Sequence, residues 1–261
     1  MGLANPILIQ DVPRSRNESP PLFLIHDASG LITSYYKLGP VGRKVYGIWD
    51  PKFDQDGIGG WQTVQDIADA YLRLIRRVQL RGEIVLGGKS PLSHPWAGRG
   101  LRVSKIILVD SVYPRCERPE ARKGPPHARH APMLPGISED TRNKLLTALM
   151  RATCISDHWD PPAWSRRTER AARVVRTAGE RPAPPPVVLI RADGLVPTLE
   201  RNEMCPLDRT RFLPQLGWED MQEGFVSEVL HTSGNHYNIF DEAHVPMITS
   251  CIRKALDMVI E

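Results

Sequence analysis

Two short runs constrain this chain more than anything else in it: Glu83–Leu86 and Lys105–Val109 are almost wholly apolar and stop at polar turns. A run of that length with no polar alternation is a strand buried on both faces, and burial on both faces is the habit of parallel sheets. The same reading predicts strands at Pro21–Ile25, closed by His26-Asp27-Ala28-Ser29-Gly30, and at Lys44–Ile48, ended by Trp49-Asp50-Pro51. Val187–Arg191, behind the stiff Pro182-Ala183-Pro184-Pro185-Pro186, and Val226–Leu230 complete the set. Parallel strands need crossovers, and helical spacing supplies them. Thr63–Leu80 carries Val64, Ile67, Ala68, Tyr71, Leu74, Ile75 and Val78 on one face, and the last stretch carries Val245, Ile248, Ile252, Ala255 and Val259. The alternation predicts an α/β fold, a doubly wound and mostly parallel sheet, formed by residues 1–261 as one domain.

Between Tyr113 and Pro186 the strand pattern stops, and Pro, Arg and His dominate. Helices are predicted at Ser138–Ala152 and Ser165–Ala178, so residues 115–182 read as a helical lid inserted into the domain. Arg115 to Arg181 holds 14 Lys and Arg against 8 Asp and Glu, which leaves the rest of a chain of net charge +4 slightly acidic. That surplus is either a solvated helical face or a docking face for an acidic partner. Nucleic acid is a poor candidate partner, because no stacking aromatics interleave the basic residues. No apolar run approaches the roughly 20 residues that span a bilayer, so no membrane association is expected. Met1–Gln10 lacks a charged region ahead of an apolar one, so no signal peptide is read there. The four cysteines, Cys116, Cys154, Cys205 and Cys251, have neither C-x-x-C spacing nor paired His ligands. Reduced structural thiols and a cytoplasmic location are the expectation, with no metal.

The chemistry-bearing residues fall where the strands end. Ile84-Val85-Leu86-Gly87-Gly88-Lys89-Ser90 runs an apolar strand into Gly-x-Ser, the opening of a nucleophile elbow. Asp110 ends the Lys105–Val109 strand, and His236 sits in Ser233-Gly234-Asn235-His236-Tyr237, after the last strand. Ser90, Asp110 and His236 therefore stand in the chain order of a serine–acid–histidine triad, at the carboxyl ends of strands where open α/β sheets bind ligands. In such a triad the imidazole takes the serine proton and a buried carboxylate orients it. Two alternatives remain open at this point. Asp193 follows a later strand and could be the acid, and Ser93 could replace Ser90 if the elbow has shifted. His26, beside Asp27 in a loop, reads as a structural residue of that loop.

Seven segments in order resemble the thioesterase domains of polyketide and nonribosomal peptide synthetases, particularly the fungal polyketide type. They are Asn5–Gln10, Pro21–Gly30 with Ser34-Tyr35-Tyr36, Val45–Ile48, Leu108-Val109-Asp110-Ser111-Val112-Tyr113-Pro114, Leu216-Gly217-Trp218, and Gly234-Asn235-His236-Tyr237-Asn238-Ile239-Phe240. The resemblance implies an α/β-hydrolase fold and a hydrolase of secondary metabolism, such as mycotoxin assembly, that releases or cyclises an acyl thioester. It implies that Ser90 accepts the acyl group, Asp110 orients His236, and the backbone N–H of Ala28 helps hold the oxyanion. The implied partner is an acyl carrier protein or synthase. No cofactor of the chain's own is expected, since the partner's phosphopantetheine arm carries the substrate.

One segment departs from the family pattern Gly-Gly-Trp-Ser-x-Gly-Gly. Lys89 precedes the serine, and Pro91 and Leu92 follow it. Proline has no N–H to offer an oxyanion, and a lost oxyanion donor costs about 100- to 1000-fold in turnover. Pro91, Pro95, Gly98 and Gly100 do not permit the long helix that follows an elbow, and the segment is short by roughly two helical turns. Reduced activity is the expectation. The alternative is a descendant of the fold that binds an acyl chain or carrier protein without turnover.

Overall fold

The computed structural model describes residues 4–12, 19–53, 60–89, 100–114, 184–198 and 204–260, with 138–140, 143, 147, 155 and 159 between them. The strands are β1 (Ile7–Gln10), β2 (Leu22–Ile25), β3 (Val45–Ile48), β4 (Gly82–Gly88), β5 (Leu101–Val109), β6 (Val187–Ala192) and β7 (Glu228–Thr232). Among the described elements, helices α1 (Val64–Arg76) and α2 (Val245–Asp257) flank them. The sheet order is β1-β3-β2-β4-β5-β6-β7, with every neighbouring pair parallel except β1–β3. Chain order thus reverses at β2 and β4, and the crevice between diverging connections opens at the strands' carboxyl ends.

Why these residues form this sheet is visible in how the strands divide their side chains. Along β5, Ile106 and Leu108 join the core on the α1 side, while Ile107 and Val109 join the core on the α2 side. Strands β2, β4 and β6 divide in the same way, with Phe23, Leu86 and Leu189 on one face and Leu24, Val85 and Ile190 on the other. Each buried aliphatic side chain contributes about 1.5–3 kcal/mol, so two apolar faces favour the centre of a three-layer sandwich over an edge.

Helix α1 begins at a capping box, with Asp66 N–H donating to Thr63 Oγ1 at 3.1 Å and Thr63 N–H donating to Asp66 Oδ2 at 3.1 Å. It buries Ile67, Tyr71, Leu74 and Ile75, and ends at Arg76 rather than Leu80. Val78 and Leu80 lie beyond it and are exposed, because the chain tightens into a turn towards Gly82, whose φ is +98°.

The structure shifts other boundaries too. β7 starts two residues later than the Val226–Leu230 prediction, because Phe225 and Val226 are used in the α1-side core, where Phe225 stacks on Trp218 at 5.2 Å. Val259 lies past the end of α2 and is 90% exposed. β1 has no strand signal of its own length and is held as an edge by its antiparallel register with β3.

The lid assignment at 115–182 lies largely outside the described residues. Within it Glu139, Asp140, Asn143, Thr147 and Ile155 are helical, and Trp159 is buried edge-on between Tyr113 and Trp218. Among the described residues no helix is long and apolar enough to cross a membrane.

Candidate active site at the carboxyl edge of the sheet

Four strand ends converge on the crevice. At the end of β2, His26 is buried, with Nδ1 2.5 Å from Asp27 O and Nε2 against the Tyr71 hydroxyl. Both ring nitrogens are thus engaged in bracing the loop, which is the structural role read for it. The loop closes on itself: Ser29 N–H donates to Asp27 Oδ1 at 2.9 Å and Gly30 N–H to Asp27 O at 3.0 Å, which sets the half-buried Ala28 in the turn. Tyr35 ties this loop to β4. Its hydroxyl donates to Ile25 O at 2.6 Å and accepts from Lys89 N–H at 3.3 Å.

The end of β4 leaves no room for a side chain. A Cβ on Gly88 would stand 2.5 Å from Ile25 O, and the φ of Gly88 is +154°, so only glycine passes there. Lys89 follows, buried, with Nζ donating to His236 O at 2.5 Å and lying 5.9 Å from the Phe240 ring. Burial pulls its ammonium below the usual lysine range, and Asp27, Asp110 and Asp241 offset part of that pull. Ser90, Pro91, Leu92 and Ser93 lie outside the described residues.

Asp110 turns off β5 in a left-handed conformation, φ 44°, and its backbone N–H donates to Ile190 O at 2.6 Å. A non-glycine residue there is strained by on the order of 1–3 kcal/mol, and persists only where surrounding contacts hold it. The contacts are abundant. Asp110 has no exposed surface, and Oδ1 accepts from Ala192 N–H at 2.8 Å and from Arg211 at 2.5 Å. Oδ2 accepts from the other Arg211 amino group at 2.9 Å and from His236 Nδ1 at 2.9 Å. Burial opposes this carboxylate's charge, yet the bonds from His236 and Arg211 prevail and hold it well below the usual carboxylate range.

His236 reaches that carboxylate from the loop after β7, where Asn235 Oδ1 accepts from Tyr237 N–H at 3.0 Å and Asn235 N–H donates to Asn238 Oδ1 at 2.6 Å. Burial first, and then the charge on Lys89, push the imidazole below its ordinary value; Asp110 pulls the other way. The ring is therefore neutral at pH 7. With Nδ1–H donating to Asp110, Nε2 carries a lone pair.

Asp193, the competing acid, stands elsewhere. Its Oδ1 is 2.7 Å from His231 Nδ1, with both side chains more than half exposed. The structure brings Asp110 and His236 together and leaves Asp193 with a different histidine.

Three contributors were not read as site residues. Arg211 and Asp208 belong to the irregular segment between β6 and β7, and their i,i+3 spacing looks like an ordinary surface pair in the sequence. Tyr35 belongs to the resembling segment Ser34-Tyr35-Tyr36, but nothing in that segment singles out its hydroxyl. Among the described residues no cluster of His, Cys, Asp and Glu could hold a metal ion.

No family model matches the chain. It is 30% identical to the thioesterase frbD of Dothideomycetidae sp., over 90% of this chain and 88% of that protein. To the probable thioesterase gloN of Glarea lozoyensis it is 30% identical over 98% of each. To the probable thioesterase BOA10 of Botryotinia fuckeliana it is 29% identical over 98% of this chain and 91% of that one. Among solved structures it superposes on the NocB thioesterase domain from the nocardicin cluster, in covalent complex with a fluorophosphonate analogue of nocardicin G, with a TM-score of 0.65. That match spans 94% of this chain and 97% of that one at 23% identity. The fold is that of an α/β-hydrolase.

Proposed function

The chain belongs to the thioesterase family of its fungal relatives and is a thioester hydrolase, and from that premise we propose that it cleaves acyl thioesters through Ser90, His236 and Asp110. The substrate in this reading is an acyl chain of a secondary-metabolite pathway, delivered on the phosphopantetheine arm of a carrier protein. The observation that carries it is the pairing of the fully buried Asp110 with the half-buried His236, 2.9 Å apart at the carboxyl edge of the sheet. Ser90 enters by its position one residue past Lys89 and β4.

In the reaction, His236 Nε2 takes the Ser90 hydroxyl proton as the oxygen attacks the thioester carbonyl. Asp110 steadies the imidazolium that forms. The tetrahedral oxyanion collapses, the C–S bond breaks, and the departing thiolate takes the proton from Nε2. Water, deprotonated by the same nitrogen, then attacks the acyl-serine carbonyl; the Oγ–acyl bond breaks, the acid leaves, and Nε2 returns the proton to Ser90 Oγ. Ala28 N–H serves the oxyanion. Pro91 supplies no second donor, so turnover is slow for the class, by the roughly 100-fold or more that one donor is worth.

The test is hydrolysis of a model acyl thioester, with the acyl-enzyme followed by intact-mass measurement. Ser90→Ala is expected to abolish both turnover and the covalent adduct. Undiminished hydrolysis by Ser90→Ala sinks the serine mechanism, and a carrier-bound substrate turned over no better than a free thioester removes the carrier from the reading.

A further inference from the structure

The carboxylate that faces His236 is not His236's alone. Arg211 is 5% exposed, and its two amino groups grip both oxygens of Asp110, at 2.5 and 2.9 Å. One of them also donates to Ala192 O at 3.0 Å, so the fork is fixed against the end of β6. Behind it stands Asp208, also buried, whose Oδ1 accepts from Arg211 Nε at 3.2 Å and whose Oδ2 accepts from Val196 N–H at 2.6 Å. A two-pronged guanidinium–carboxylate bond sets the plane of the carboxylate as well as its distance. A buried arginine without partners costs several kcal/mol, so a chain that buries one between two aspartates has committed it to a place.

We infer that Arg211, held from behind by Asp208, is the positioning residue of the catalytic acid: it aims Oδ2 of Asp110 at His236 and takes a share of that carboxylate's charge. The inference rests on the reading of Asp110 and His236 as acid and base. It assigns work to a segment, residues 206–215, that carries no motif.

The sign of the effect follows from the charges around the imidazole. Asp110 faces it from the end of β5, Arg211 from the segment after β6 with Asp208 behind it, and Lys89 from the end of β4, bonded to His236's own carbonyl. Tyr237 meets the ring edge-on from the same loop at 5.3 Å, and Asp27 lies beyond it in the loop after β2. Arg211 opposes a positive charge on the ring, both directly and by occupying Asp110. Removing it lets the imidazolium persist to higher pH.

The experiment pairs two readouts on Arg211→Gln, Arg211→Lys and Asp208→Asn. One is the NMR titration of His236, assigned by its loss in His236→Ala. The other is kcat and KM for a model thioester against pH. Arg211→Gln is expected to raise the His236 titration and the acidic limb of kcat/KM by about one pH unit. Arg211→Lys keeps the charge and loses the fork: the titration returns close to that of the parent, while kcat stays about tenfold down with little change in KM. Asp208→Asn turns Arg211's charge wholly onto Asp110 and shifts the titration downward. A structural brace alone would lower the melting temperature in all three variants and leave the titration where it was, which overturns the inference. If Arg211→Gln does not fold, the other two decide, and an unchanged titration and kcat in both is equally fatal. Full activity in Asp110→Asn and His236→Ala would instead defeat the acid–base reading, a failure separate from any movement of the titration.

Discussion

Asp110–His236 and Asp193–His231 are separated by 2.9 and 2.7 Å, and both stand where parallel strands of one sheet end. By contact length the second pair is the better one. It is also the more exposed, with 58% and 60% of the side chains open to solvent against 0% and 13% in the first. Around Asp110 every carboxylate lone pair facing protein is used, by Ala192 N–H, by Arg211 and by His236. Asp193 meets one imidazole and water. An exposed pair is worth about 0–1 kcal/mol and is weakened by salt, whereas a desolvated pair keeps its full electrostatic effect and leaves a stranded charge when broken. What separates a structural ornament from a candidate catalytic pair is the removal of water and the wiring behind the carboxylate.

Asparagine in place of each acid should separate the two pairs most widely. Asp110→Asn should reduce turnover of a model thioester by about 10³- to 10⁴-fold, since the amide presents His236 with the wrong partner, while Asp193→Asn should stay within about twofold. Steady-state rates for the two variants side by side decide it, and equal losses would mean the wrong acid has been assigned.

Acid stability comes next. Asp110's carboxyl is depressed in the folded state, so its contribution is complete above the ordinary carboxylate range and is lost as pH falls from about 4. His236 is also depressed, so the fold favours its neutral form and loses stability as pH drops through about 6.5 towards the lower folded value. Thermal melts from pH 8 to 3 should therefore decline in two stages, with the carboxylate's share on the order of 2 kcal/mol. Asp193→Asn should leave the curve unaltered. A single-stage decline shared by Asp110→Asn and the parent would contradict the assignment.

Lys89→Met probes the first pair through the imidazole instead of the carboxylate. It removes the positive charge facing His236 and keeps most of the buried volume, so the acidic limb of kcat/KM should rise by about half a unit. A shift downward would mean that Lys89 acts by bracing the loop alone. Least of all, His231→Gln should alter unfolding free energy by less than about 0.5 kcal/mol in urea titrations.

What the sequence made legible follows the same physics. β2 to β6 were predicted to within four residues, because strands buried on both faces are nearly all apolar; the missed start of β5, Leu101–Ser104, is where Arg102 and Ser104 interrupt that run. β7 slid by two residues, since Phe225 and Val226 are as apolar as strand residues yet pack against Trp218 ahead of it. Asp110 and His236 could be placed by chain order and strand ends. Arg211 could not, because its partnership with Asp110 spans 101 residues of chain and rests on burial, which a single arginine in a loop does not announce. The segment around Ser90 departs from the family pattern, and its residues lie outside those the structure describes.

Lys105 sits in the middle of β5, five residues before the acid, and its ammonium donates to the carbonyls of Ala255, Leu256 and Met258 at 2.5, 3.2 and 2.7 Å. A buried cation in a central strand is therefore quieted by the last turn of α2, some 150 residues later. During synthesis β5 emerges long before its partner exists, and until then this lysine disfavours the strand's burial. The strand that bears Asp110 can settle only after residues 255–258 have been made. A nascent chain stalled before them would hold its own central strand open, so the acid's platform closes only once this distant turn is available.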